Sequence, residues 1–250
     1  MSNIVSGLIV VAFAALVGFL GLLVKVRFFP VKEEEEKEDV AGYVTMVVGV
    51  IYALILALAL VAVWENKDSA EGHVAAESSS LHEVSQLGTT MLPTDRQRIQ
   101  DAANAYAHQV VDTEWPEMRK GEEVGEAGWG LLTDLRTAVL SSDVATTARQ
   151  DVLSDATNQL SILADARRGR LDDAGKRMPP VLWIGLVLGG VLTIGLTFAY
   201  GIEQRFTHIG MVMGMVALIG FMLILIYNLE NPFNHGLGAD PEPFTRLFGG

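Results

Sequence analysis

Four long apolar stretches, none interrupted by a charged side chain, constrain this sequence more than anything else in it. They are Ile4–Val24, Val40–Trp64, Met178–Ile202 and Ile209–Leu229. Crossing a hydrocarbon core about 30 Å thick takes roughly 20 apolar residues in a helix, and each stretch is long enough. In lipid a chain must satisfy its backbone polar groups internally, which leaves helices for segments of this kind. The first stretch reads as a retained helix and not as a cleaved leader. Its basic residues, Lys25 and Arg27, follow the apolar run instead of preceding it, and the run exceeds the usual 7–15 residue core of a signal peptide. The expected fold is all-α: spans at about 4–24 and 40–64, an extramembrane helical domain over 65–177, spans at about 178–202 and 209–229, and an extended C-terminal tail over 231–250.

Finer features agree with lipid. Trp64, Trp183, Tyr200 and Tyr227 lie near span ends, where amphipathic rings prefer the headgroup boundary. Gly185 with Gly189, and Gly210 with Gly214, form G-x-x-x-G pairs that suit close helix approach. Pro179 and Pro180 suit a helix start, where a missing N–H costs least. Lys25, Arg27, Lys32, Lys37 and Arg205 fall on one side of the membrane. Lys67, Arg167, Arg168, Arg170, Lys176, Arg177 and Arg246 fall on the other, which directs the middle region and both termini to the cytoplasm of a multi-pass cell-membrane protein.

The mean hydropathy of +0.33 conceals a sharp division, because the residues outside the spans are richly charged. A formal net charge of -12 excludes the basic footprint of a nucleic-acid binder, and the absence of cysteine excludes thiolate chemistry. Glu33–Asp39, reading EEEEKED, is a solvated connection between the first two spans. Beyond Trp64 the periodicity is helical. Leu81, Val84 and Leu87 predict that the second span continues as a long helix to Gly88 and Pro93. Thr94, with Gln97 as a capping-box partner, predicts the next start, and Ile99, Ala102, Ala103, Tyr106, Val110 and Val111 form that helix's apolar stripe. After a break at Lys120–Gly128, Trp129, Leu132, Leu135 and Val139 mark another helix. The last starts near Ser142 and carries Val144, Ala148, Val152, Ala156, Leu160 and Leu163. In the tail, Phe233 and Phe244 are the expected anchors.

Chemistry is conspicuous by omission. His73, His82, His108, His208 and His235 adopt no recognised ligand spacing, and no nucleophile elbow, P-loop or dinucleotide fingerprint is present. The chain reads as a non-enzyme needing no cofactor and no metal. The spans hold hydroxyls (Thr45, Tyr52, Thr193, Thr197) and none of the ionisable groups that proton-coupled transport uses. A pore closed by an apolar constriction needs no charge.

Several segments carry a resemblance. Val40-Ala41-Gly42-Tyr43 leads into Val48-Gly49-Val50-Ile51-Tyr52, then Val63-Trp64-Glu65, Glu114-Trp115-Pro116, and Asp165-Ala166-Arg167-Arg168 with Arg170. Pro179-Pro180 before Trp183, Asn231-Pro232-Phe233 and Pro241-Glu242-Pro243-Phe244 complete the series. In this order and over nearly the whole chain, the sequence resembles the bestrophin-like family of bacterial integral membrane proteins, a domain of unknown function, and remotely the bestrophin anion channels. It departs at the EEEEKED run and in the loop after Leu87. The resemblance implies a homo-oligomer, a pentamer by analogy, embedded in the lipid bilayer and passing inorganic ions. On that reading Val48, Ile51, Ile55 and Leu58 of the second span line an anion-conducting pore, and Glu65, Arg167, Arg168 and Arg170 supply charge at its mouth. The alternative is a non-conducting scaffold or sensor whose helical head binds a partner protein.

Overall fold

The computed structural model describes residues 35–143, 146–199, 206–234 and 236–248. Among them every regular element is helical. The helices are α1 (Glu35–Gly88), α2 (Pro93–Gln109), α3 (Trp115–Lys120), α4 (Ala127–Leu140), α5 (Thr147–Gly175), α6 (Pro180–Ala199), α7 (Phe206–Glu230) and α8 (Glu242–Phe248). The chain divides into two compact units, Met1–Trp64 with Met178–Glu230, and Glu65–Arg177 with Asn231–Gly250.

In the first unit, three described helices are long and apolar enough to cross a membrane: α1 from Gly42, Pro180–Thr197 of α6, and Gly210–Glu230 of α7. The expected span at Ile4–Val24 lies outside the described residues, as do Tyr200 and His235. Val63, Leu186, Ile226 and Leu229 form a buried cluster among these helices. The α6 start is fixed by Pro180 and by a residue remote in sequence. Glu230, at the end of α7, accepts the Met178 N–H at 3.1 Å and the Trp183 Nε1–H at 3.2 Å. A carboxylate at a helix N-terminus meets both free N–H groups and the positive end of the dipole. Trp183 also meets Tyr227 edge-on at 6.1 Å. The glycine pairs behave unequally. Gly189 and its neighbour Gly190 lie against the Tyr52 ring, whereas a Cβ at Gly185, Gly210 or Gly214 would meet nothing within 4 Å.

The second unit is a helical head around a continuous core that includes Leu81, Val84, Ile99, Tyr106, Val110, Trp115, Leu135, Leu160 and Leu163. α2 packs on α4, and α4 on α5. The stripe at Leu81 and Val84 continues α1 without interruption to Gly88. Two starts and one turn differ from the periodicity. α2 begins at Pro93, with Leu92 extended before it and no side-chain cap; Gln97 bonds Asp101 at 2.8 Å instead of closing a capping box. The fixed φ of proline supplies the start that Thr94 is expected to give. α5 is capped by Thr146, whose hydroxyl accepts the Arg149 N–H, so it begins five residues after Ser142. Between α2 and α3, Val110–Glu114 form a π-helical turn. Pro116 follows it; proline has no N–H to give and its ring crowds the carbonyl four residues back, so the helix widens there.

The tail is not extended throughout. Ala239 N–H returns to the Pro232 carbonyl at 2.6 Å, and Glu242–Phe248 coils into α8 with Arg246 paired to Glu242 at 2.6 Å. Seven residues are too few to display a helical period in sequence, and the helix is held by burial of Phe244. Phe233 is equally buried and meets Trp115 edge-on at 5.4 Å.

Candidate functional site

Two features stand out: the outward face of α1 in the first unit and a buried ionic network in the head. On α1, Ile51, Ile55 and Leu58 are exposed and Val48 is half-buried. They belong to a broader apolar surface that includes Met46, Val47, Val50, Leu54 and Val61. The span window of α1 is only 11% buried, against 17% for α6 and 28% for α7. Among the described spans, α1 therefore has the most surface left for lipid or another subunit. Tyr52 and Val63 are exceptions, and Tyr52 packs against Gly189 and Gly190.

The network joins α1, α2, the π-helical turn and α5. Arg167 donates from Nη1 and Nη2 to the two carboxylate oxygens of Glu114, at 2.9 and 2.7 Å. Arg170 donates from Nε and Nη2 to Glu77 at 2.5 and 3.0 Å, and from Nη2 to Glu114 at 2.7 Å. Tyr106 donates its hydroxyl to Glu77 at 2.6 Å and accepts from Arg167 at 3.3 Å. The Arg167 guanidinium also lies over the Trp129 ring, 4.9 Å from its centre. All four charged side chains are 0% exposed. Two positive and two negative charges cancel, and the fork geometry of each guanidinium matches the carboxylates, which is how a buried ionic group meets its desolvation cost.

The surroundings also hold the protons of Tyr106 and Arg170 in place. Burial, reinforced by the adjacent Glu77 carboxylate, pushes the Tyr106 phenol well above its usual range. Burial alone would lower the Arg170 guanidinium, but Glu77 and Glu114 more than offset it and hold it above its usual value. Neither group exchanges a proton near neutral pH. The arrangement is suited to fixing helix register and not to catalysis.

A smaller cluster fastens α1 to the end of α5. Asp173, fully buried, accepts from Ser69 at 3.1 Å and Lys176 at 2.8 Å, and bonds His73 Nδ1 at 2.7 Å. The hydrogen bonds that Lys176 donates to Asp173 and Asp172 raise its ammonium above its ordinary value.

These positions revise the expected pore-mouth charges. Arg167 and Arg170 do not face solvent; they are consumed inside the head by Glu114 and Glu77, because each sits on the buried face of α5. Arg168 lies on the opposite face, exposed and paired with Asp165, and Glu65 is exposed on α1. Sequence reasoning missed Glu77, Glu114 and Tyr106 as a unit. The available signal was a charge inside an apolar stripe: Glu77 interrupts Ala70, Val74, Leu81 and Val84, and Arg167 and Arg170 extend Leu160 and Leu163, all at three- and four-residue spacing.

Residues 12–244 match the family model of the Bestrophin-like domain. The fold is shared with a membrane protein of known crystal structure, with a TM-score of 0.70 at 12% identity, covering 98% of this chain and 99% of that one. No curated protein matches the chain.

Proposed function

Because the chain belongs to the Bestrophin-like family, we propose that it is an oligomeric ion channel of the cell membrane, with α1 lining the pore and the helical head in the cytoplasm. The observation that carries the reading is the α1 span itself: uncharged, and the least covered of the three described spans. Copies of the chain arranged about an axis would bury part of that surface against one another and turn Val48, Ile51, Ile55 and Leu58 inward, four apolar side chains at helical spacing. Such a ring gates by dewetting. Anions are the proposed cargo, and that preference rests on kinship with bestrophins; Arg167 and Arg170 give it no support, since of these three neighbouring arginines Arg168 alone keeps its charge in solvent.

The test is flux from liposomes holding the purified full-length protein. Chloride should leave protein-loaded vesicles faster than empty ones. Ile55→Asn, which wets the constriction, should raise the basal rate about tenfold or more, equivalent to ~1.4 kcal/mol off the barrier. Absence of flux for any ion from well-reconstituted protein would refute the channel reading and favour a non-conducting scaffold.

A further inference from the structure

The loop after α3 and the end of α5 enclose a cleft of about 460 Å³, within the range of small-ligand sites. Its lining is of three kinds. Arg177 supplies a positive charge, Glu122 and Glu123 negative ones, and Val124, Leu171 and Ala174 an apolar wall. The guanidinium of Arg177 rests against Gly121, whose φ of +72° suits glycine and whose missing Cβ leaves the guanidinium its place. Among the described residues Arg177 pairs with no carboxylate and Glu123 with no cation, while Glu122 reaches Lys120 only at 3.8 Å. Opposite charges thus line one cleft without neutralising each other. A ligand that suits them carries an anion and a cation a few ångströms apart and has an apolar portion.

Along the chain, Arg177 of the cleft adjoins a membrane span. Arg177 precedes Pro180, the first residue of α6, by three residues, a separation of at most ~11 Å between Cα atoms. The polar zone of one leaflet is about 5–7 Å deep, so the long arginine side chain reaches it. We propose that the cleft holds the headgroup of phosphatidylethanolamine, its phosphate on Arg177 and its ammonium on Glu123 and Glu122. A primary ammonium donates three hydrogen bonds to carboxylates; the trimethylated ammonium of phosphatidylcholine donates none, and phosphatidylglycerol brings no cation to set against the two glutamates.

Native mass spectrometry of the delipidated, detergent-solubilised full chain tests this, with dioleoyl phosphatidylethanolamine, phosphatidylcholine and phosphatidylglycerol titrated separately. Phosphatidylethanolamine should bind about tenfold more tightly than either of the others, the worth of one charge-assisted hydrogen-bond set. Arg177→Gln should lower that affinity by a similar factor. Glu122→Gln with Glu123→Gln should abolish the preference over phosphatidylcholine and leave binding of the phosphate in place. Soluble phosphoethanolamine should compete poorly, because it lacks the apolar part. Equal binding of the three wild-type lipids, a preference for phosphatidylglycerol, full competition by phosphoethanolamine, or unchanged binding in both variants would each overturn the proposal. The substituted residues are exposed, so unchanged helical circular dichroism should accompany the losses.

Discussion

Arg167 closes both Nη atoms on the carboxylate of Glu114, at 2.9 and 2.7 Å, and neither side chain meets solvent. The pair is positioned by the π-helical turn, which ends at Glu114, and by the buried stripe of α5. A side chain that sequence places among solvated arginines is therefore part of the head's interior, and its effect on function runs through the fold.

Removal of charge should matter inside the head and hardly at all on its surface. Glu114→Gln leaves two buried guanidiniums facing one carboxylate, and breaking a buried pair from one side costs about 3–5 kcal/mol. Arg168→Gln removes an exposed partner of Asp165 and should change stability by no more than ~0.5 kcal/mol. Thermal unfolding of the detergent-solubilised chain, followed by circular dichroism, separates them: a large drop for the first, almost none for the second. Equal shifts would contradict the buried placement.

Gly128 gives an independent probe of the same network. A Cβ there would fall on the carboxylate of Glu114 and the guanidinium of Arg167, two groups held too tightly to yield. Gly128→Ala should cost about 1–3 kcal/mol, as overpacking does. Gly130, two residues on in α4, meets nothing within 4 Å, so Gly130→Ala should raise the melting temperature, consistent with a gain of ~0.5–1 kcal/mol in a helix. Opposite signs from neighbouring glycines are the expected outcome.

How far the sequence discloses these features depends on the strength of each local signal. Long uncharged runs and the Leu81–Val84 stripe are read directly, because lipid and a helical core each impose one period on many residues. The apolar positions Ile99, Ala103, Tyr106, Leu132, Leu135, Val139, Leu160 and Leu163 are likewise all buried. Charge is read less well. Three arginines within four residues resemble a solvated surface, and only their register against Leu160 and Leu163 separates Arg167 and Arg170 from Arg168. Partners remote in sequence, such as Glu230 for the α6 start, leave no local trace. The π-helical turn and α8 are too short to show a period.

Asp95 predicts an acid-sensitive contribution to stability. The Asp143 backbone N–H, then Arg98, hold its carboxyl below the ordinary value of 3.8. A depressed folded-state value means that the stabilisation is fully present above that ordinary value and is lost as pH falls through the lower, folded one. Asp95→Asn should therefore lower the melting temperature at pH 7, and the gap from wild type should narrow below about pH 4. A gap that is constant down to pH 2 would show that the aspartate acts through shape and not through charge.

Within the membrane unit the most specific contact is Tyr52 on the glycine pair of α6. A Cβ at Gly189 would lie 2.6 Å from Tyr52 Cδ2, inside any tolerable approach. The hydroxyl of Tyr52 is buried and bonds no group among the described residues. Ring and hydroxyl should thus have opposite effects. Gly189→Leu should destabilise the unit and Tyr52→Ala should partly relieve it in the double variant, because the clash is with the ring; residues in contact couple by about 0.5–3 kcal/mol. Tyr52→Phe, which keeps the ring and removes only the unpaired hydroxyl, should be neutral or stabilising, since a buried polar group without a partner costs about 1–3 kcal/mol. Melting temperatures of the wild type and the four variants in one detergent decide it. A loss of stability in Tyr52→Phe would mean that the hydroxyl has a partner, and additivity of the other two substitutions would mean that the ring and Gly189 do not touch.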